Sequence, residues 1–384
     1  MRQVKNSLIW ALGAYVLSYC QVDTNSDRFY LMTYFLNSSQ DAGGRLALSS
    51  DGLKWQKYNN EASVITPTVG SSLMRDPMIY FDKATALFHM VWTTGWSDKV
   101  IGYASSSDLK TWSKQTTIGV GAKITSCACC WAPEIFYDDI KDSCMIFWST
   151  ENSTAGKRTY YVMTRDFKTF TDPVKFFDPG YTEIDASMLK AAQGKYYLFF
   201  KDERESGKNI HYVYGSTPQG PWSVVSGAIT SAGCEGPSAV KIGAEYRVYF
   251  DPYNNSDKTY RMVKTAGLDN SASPWPNGGT INAGTSNFAY SHGSIIEIPR
   301  AYVMHLLYNR SLPTCVAFQW PHLQKAAVAV KRSSITALDV LGRRVVSAAP
   351  RDEAFIAQRR AAPTGFFIIK ADETSEKRQI VFMK

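Results

Sequence analysis

The 384-residue chain is rich in aromatics (10 Trp, 22 Tyr and 19 Phe) and only 20% charged, which excludes a disordered chain and a coiled coil and leaves apolar surface for one large domain plus a small one. Its formal charge of +8 is uneven: residues 321–384 hold 12 Lys and Arg against 6 Asp and Glu, leaving 30 against 28 for the remainder. A near-neutral main domain suits an uncharged substrate better than a polyanion, and no zinc-finger spacing, basic helix or stacking motif points to nucleic acid.

The N-terminus reads as an export signal over residues 1–20. Arg2 and Lys5 precede an apolar run, 8–19, that is too short for a convincing membrane span. Cys20 raises the alternative of a lipoprotein, but Tyr19 is bulky where lipid attachment wants a small residue, so soluble export is expected.

From about residue 28 a weak repeat begins. Residues 46–55, 103–112, 161–170 and 212–222 each read as a strand, a polar turn and an aromatic, and a looser fifth copy ends at Trp275. The closing aromatics Trp55, Trp112, Phe170, Trp222 and Trp275 lie 57, 58, 52 and 53 residues apart, a period that fits one four-stranded blade each. Between them, 86–92, 143–148, 195–200 and 245–250 are β-branched and aromatic runs bounded by turn residues, and long amphipathic helices are absent. A β-sandwich would also use such strands. Five similar units at near-constant spacing favour a closed ring, which removes sheet edges. The predicted fold is all-β, a five-bladed propeller over 28–320.

After Trp320 there is no further Trp or Tyr, and Ala and Arg become frequent. A linker over 321–332 and a small β-sandwich-like domain over 333–384 are expected, with strands near 334–341, 365–369 and 379–382. Besides Cys20 there are six cysteines: Cys127, Cys129, Cys130, Cys144, Cys234 and Cys315. No second Cys or His pair sits at zinc spacing, so disulfides or buried thiols are expected rather than a metal site.

Each blade marker is followed, 13 to 22 residues later, by a polar residue: Asp76 (in Arg75-Asp76-Pro77), Glu134 (in Trp131-Ala132-Pro133-Glu134), Asp185, Glu235 (before Gly236-Pro237) and His292 (before Gly293-Ser294). The equivalent point of each blade is its innermost strand, so the repeat places all five around one axis. Carboxylates converging from separate blades are what glycoside hydrolysis requires, one protonating the leaving oxygen and one activating water. Alone, Asp76 before Pro77 reads as a turn residue, Glu235-Gly236-Pro237 as a tight turn, and His292 as a core histidine. Glu134 reads as a channel buttress.

In this order, the five motifs resemble those of glycoside hydrolase family 43, which contains arabinofuranosidases, xylosidases, arabinanases and galactan-degrading enzymes. The resemblance runs from about residue 28 to 320. It implies an inverting mechanism with Asp76 as general base, Glu235 as general acid, and Asp185 orienting that acid and raising its pKa. It implies no required cofactor, but offers a structural calcium in the channel near His292. Trp96, Trp131, His292 and Tyr34 are the expected substrate-binding residues, and an exo-acting α-L-arabinofuranosidase or β-xylosidase for plant cell-wall polysaccharide is the expected activity. Two alternatives stand beside it. A non-catalytic carbohydrate-binding propeller would not need all three acidic positions filled. A retaining invertase-like fructosidase would carry an Asn-Asp-Pro-Asn motif near the start, which is missing. Residues 337–345 and 362–370, with the basic final strand, resemble the C-terminal sorting domain of the type IX secretion system, implying that machinery as a partner and a secreted or bacterial cell-surface location. A monomer is expected.

Overall fold

The computed structural model describes residues 22–312 apart from 39–42, 153–155, 254–258, 269–273, 284–285 and 288–290. Beyond 312 it describes only the strands Ile335–Leu338, Arg344–Ala348, Phe366–Lys370 and Ile380–Phe382. These four form one antiparallel sheet; the rest of the expected C-terminal domain lies outside the described residues, as do the signal segment with Cys20, the linker and Cys315. Among the described residues, no helix is long and apolar enough to cross a membrane.

Residues 29–298 form five antiparallel sheets arranged as blades. The innermost strands are Ser291–Ile298, Arg75–Asp82, Trp131–Asp138, Glu183–Ala192 and Glu235–Ile242. Each lies against the inner strands of its two neighbours, closing the ring. Closure is made by the last strand: Ser291–Ile298 pairs with Phe29–Phe35, so the first blade is built from both ends of the propeller.

The repeat seen in the sequence is the third strand of each blade and the turn that leaves it. In blades 1 to 3 the turn has one design. The hydroxyls of Ser49, Ser106 and Thr164 accept the N–H of Gly52, Leu109 and Phe167 at 2.8–2.9 Å, and these three acceptor-bound residues all have left-handed φ. Asp51, Asp108 and Asp166 then each accept two further backbone N–H groups. Asp and Ser/Thr recur there because their short side chains satisfy turn donors locally. Blade 4 has three strands; the N–H groups of Ser223, Ser226 and Ile229 donate to the carbonyls of Tyr214, Tyr212 and Ile210, which covers the outer edge.

The core is distributed as five apolar layers, one between each pair of neighbouring blades. An element absent from the sequence reading, the helix Arg300–Tyr308, packs Tyr302, Val303 and Leu306 into the layer between blades 1 and 2, with the Tyr302 ring edge-on to Phe88 at 4.7 Å. Phe88→Ala would remove a fully buried ring from that layer, and is expected to cost about 3–5 kcal/mol. A lowered urea midpoint with unchanged slope is the expected result.

Candidate active site

Near its start, each inner strand is kinked by a β-bulge at the same register. The shifts fall between Arg75 and Met78, Trp131 and Glu134, Ile184 and Ser187, Glu235 and Ser238, and, opposite Phe35 and Thr33, between Ser291 and Ser294. The second residue of the bulge takes a left-handed φ in four blades: Asp76 (50°), Ala132 (47°), Asp185 (59°) and Gly236 (60°). A bulge re-aims its side chain, and here it turns residues that would otherwise follow the strand's alternation toward the axis.

The register also corrects an expectation. The five polar residues do not occupy matching positions. Asp76, Asp185 and His292 are equivalent, whereas Glu235 lies one residue earlier in its bulge and Glu134 two residues later.

Asp76, Asp185, Glu235, His292, Trp96 and Trp131 nevertheless line one cavity of about 250 Å³. Its wall continues through Arg75, Thr93, Ile184, Lys201 and Glu203. His292 Nδ1 lies 3.2 Å from Asp76 Oδ1 and 3.9 Å from Asp185 Oδ2. Asp76 also accepts the Thr93 hydroxyl at 2.8 Å, and Asp185 accepts the Gly236 N–H at 3.1 Å. A Cβ on Gly236 would stand 2.6 Å from the His292 ring, so only glycine fits between the ring and Glu235.

Burial opposes each of these charges, and the neighbours decide the outcome. For Asp76, burial would raise the pKa, but His292, Arg75 and the Thr93 hydroxyl hold it below the usual carboxylate value. For Asp185, burial wins: relieved in part by His292 and reinforced by Glu235, it is pushed up to about 6. His292 is lowered by burial but raised further by Asp185 and Asp76, reaching about 9, so it is an imidazolium at neutral pH. Glu134, buried and hydrogen-bonded by Ser187 and the Met188 backbone, is pushed by burial up to about 8, as suits a buttress rather than an ionised group.

The calcium ion expected near His292 would share the channel with the His292–Asp76 contact, and among the described residues no group of three or more His, Cys, Asp or Glu is disposed to hold a metal. Tyr34 does not fit its expected role. It is fully buried in the layer between blades 1 and 5, its hydroxyl 3.3 Å from Glu61 Oε1, and cannot stack on a sugar. Trp96 can: it is 54% exposed, edge-on to Trp131 at 6.0 Å, with the Arg75 guanidinium over its ring. The five described cysteines are buried free thiols.

Residues that the sequence reading missed occupy the second strand of blades 2 to 5, opposite the start of the bulge. Thr93 pairs with Arg75, Ser149 with Trp131, Lys201 with Ile184 and Asp251 with Glu235. Each ties its own blade to the bulge of the next. Thr93 accepts the Ala132 N–H at 2.8 Å, Ser149 accepts the Asp185 N–H at 3.0 Å, and the Lys201 ammonium bonds Glu235 Oε2 at 2.8 Å. Asp251 is hydrogen-bonded by the Ser291 side chain and the His292 backbone. Lys201, 4% exposed, also pairs with Glu203 at 2.9 Å, and Glu235 and Asp185 keep it charged despite its burial.

Carboxylates converging from separate blades on an axial cavity rimmed by tryptophan are the arrangement that glycoside hydrolysis uses. Residues 27–303 match the family described as a probable glycosyl hydrolase domain, related to glycosyl hydrolase family 43, and the chain belongs to that family. An α-L-arabinofuranosidase of Bifidobacterium longum is 23% identical over 290 residues, covering 59% of this chain and 26% of that protein, so the chain spans about a quarter of that relative. An endo-1,4-β-xylanase structure from Bacteroides thetaiotaomicron has a TM-score of 0.50 at 15% identity, covering 66% of this chain and 91% of that one, a likeness of fold. For an α-L-arabinofuranosidase structure from Lactobacillus brevis the TM-score is 0.45 at 15% identity, covering 54% and 73%.

Because the pKa of His292 is raised from 6.5 to about 9, its stabilising charge is fully present below about pH 6.5 and lost as pH rises through about 9. His292→Gln should therefore destabilise the protein most at about pH 6 and progressively less towards about pH 9.5, read as urea midpoints against wild type. A penalty that grows with pH would mean that the ring is neutral.

Proposed function

We propose that the protein is an inverting, exo-acting glycosidase that removes arabinofuranose or xylose from plant cell-wall polysaccharide. The observation that carries this reading is the convergence of Asp76, Asp185 and Glu235 on one small cavity. Asp76, kept ionised by its neighbours, would take the proton from the attacking water. Glu235 would protonate the leaving oxygen. With Lys201 on Oε2, the proton to be delivered belongs on Oε1. Asp185 would orient that acid through the Gly236 N–H next to it. The cavity is smaller than the about 300–1,000 Å³ common for drug-sized ligands, which favours a terminal sugar over a chain segment. The arabinofuranosidase relative supports the choice of sugar. Export to the cell surface through the type IX machinery belongs to the same proposal, and rests on residues 8–19 and the motifs at 337–345 and 362–370.

Nitrophenyl α-L-arabinofuranoside and β-xyloside are the first substrates to test. Asp76→Ala should lower kcat by about 10²–10⁴-fold on every substrate, the span of a lost general base. Nitrophenolate leaves with little help from an acid, so Glu235→Ala should cost less there than on an arabino- or xylo-oligosaccharide. Wild-type rates in both variants would remove the mechanism, and retention of anomeric configuration by NMR would remove inversion.

A further inference from the structure

The loop entering blade 3 brings two thiols together beside the cavity wall. Cys127 Sγ and Cys130 Sγ lie 3.8 Å apart, the two side chains turned toward each other and both buried. Their backbone is held from both sides. Cys127 donates its N–H to Ile124 and bridges Asn152, Ala128 donates to the Glu151 carbonyl at 2.9 Å, and the Thr150 hydroxyl donates to the Cys129 carbonyl at 2.6 Å. Gly121 leaves the space that both sulfurs fill: a Cβ there would meet them at 2.7 and 2.9 Å. Cys144 and Cys234 have no such neighbour, since among the described residues only Cys127 and Cys130 place sulfur against sulfur.

We propose that Cys127 and Cys130 are a disulfide-forming pair that locks the residue preceding Trp131, and that the bond is installed by exchange with a disulfide-bearing oxidant such as oxidised glutathione. The Cys127 thiolate attacks one sulfur of the oxidant, forming a mixed disulfide and releasing one oxidant thiolate. Cys130 then loses its proton and attacks Cys127 Sγ, expelling the second oxidant thiolate. Two protein thiols are oxidised, one disulfide is reduced to two thiols, and the two protein protons pass to the departing thiolates. Hydrogen bonding from Cys130, against the opposing effect of burial, brings the Cys127 pKa down to about 6, which suits it to the attacking role, whereas Cys129 is pushed by burial up to about 11. Closing from 3.8 Å to the about 2.05 Å of a disulfide requires side-chain rotation rather than a new loop path. The ring so closed is short, so the gain is local: it fixes where Trp131 enters the cavity wall, with little effect on the entropy of the whole unfolded chain.

The full chain, reduced and unfolded, would be refolded in oxidised and reduced glutathione, then unfolded in urea with N-ethylmaleimide and digested without reductant. The expected peptide carries no label on Cys127 or Cys130 and is lighter than the dithiol by two hydrogens, while Cys129, Cys144 and Cys234 are labelled. The same labelling of protein isolated from an oxidising compartment covers a chain that does not refold. Label on both Cys127 and Cys130, glutathione left on either, or a link to Cys129 overturns the proposal. Cys129→Ser should keep the link, and loss of the link in that variant also overturns it.

Discussion

A kink repeated at one point of all five inner strands sets the geometry on which the site depends. A regular strand alternates its side chains between two faces, and in this propeller both faces of every blade are covered by neighbouring blades. Breaking the alternation turns Asp76 and Asp185 into the cavity. The bulge breaks it, at the cost of a left-handed backbone at Asp76, Ala132 and Asp185, a conformation that disfavours side chains with a Cβ by about 1–2 kcal/mol each. Hydrogen bonds hold these residues there. Thr93 and Ser149 capture the N–H groups of Ala132 and Asp185 from the preceding blade, so the strain is distributed around the ring rather than stored at one residue.

The same framework makes two chemically identical side chains behave differently. Asp76 and Asp185 sit at equivalent positions, are equally enclosed and face the same imidazolium. At about 3–4 Å, a unit charge in a protein site is worth about 4 kcal/mol at an effective dielectric of 20. Small differences in partner number therefore decide the result. Asp76 is closer to His292 and also has Thr93 and Arg75; Asp185 has the like charge of Glu235 beside it. One carboxyl falls below its usual range and the other rises to about 6.

The repeat was legible because its turns need particular residues: Ser or Thr, then Asp, then an aromatic that fills the space between blades. Asp76, Asp185, Glu235 and His292 were legible as members of that repeat. Their offsets were not, because a bulge changes register without leaving a mark on spacing. Lys201 was overlooked although a signal exists: the second-strand runs end in Trp92, Trp148, Phe200 and Phe250, and the next residue in each case is a site residue, Thr93, Ser149, Lys201 or Asp251. Tyr34 was misjudged because all seven residues of Phe29–Phe35 are buried, and a strand covered on both faces gives no alternation from which to choose a side. The helix Arg300–Tyr308 was hidden by its shortness and by a sequence as apolar as the strands before it.

His292 lies on the strand that closes the ring, and this gives the site a position in time as well as in space. Until Ser291–Ile298 has docked on Phe29–Phe35, blade 1 lacks its inner strand and Asp76 and Asp185 lack the cation they share. The axial site is thus assembled in the same step that completes the domain.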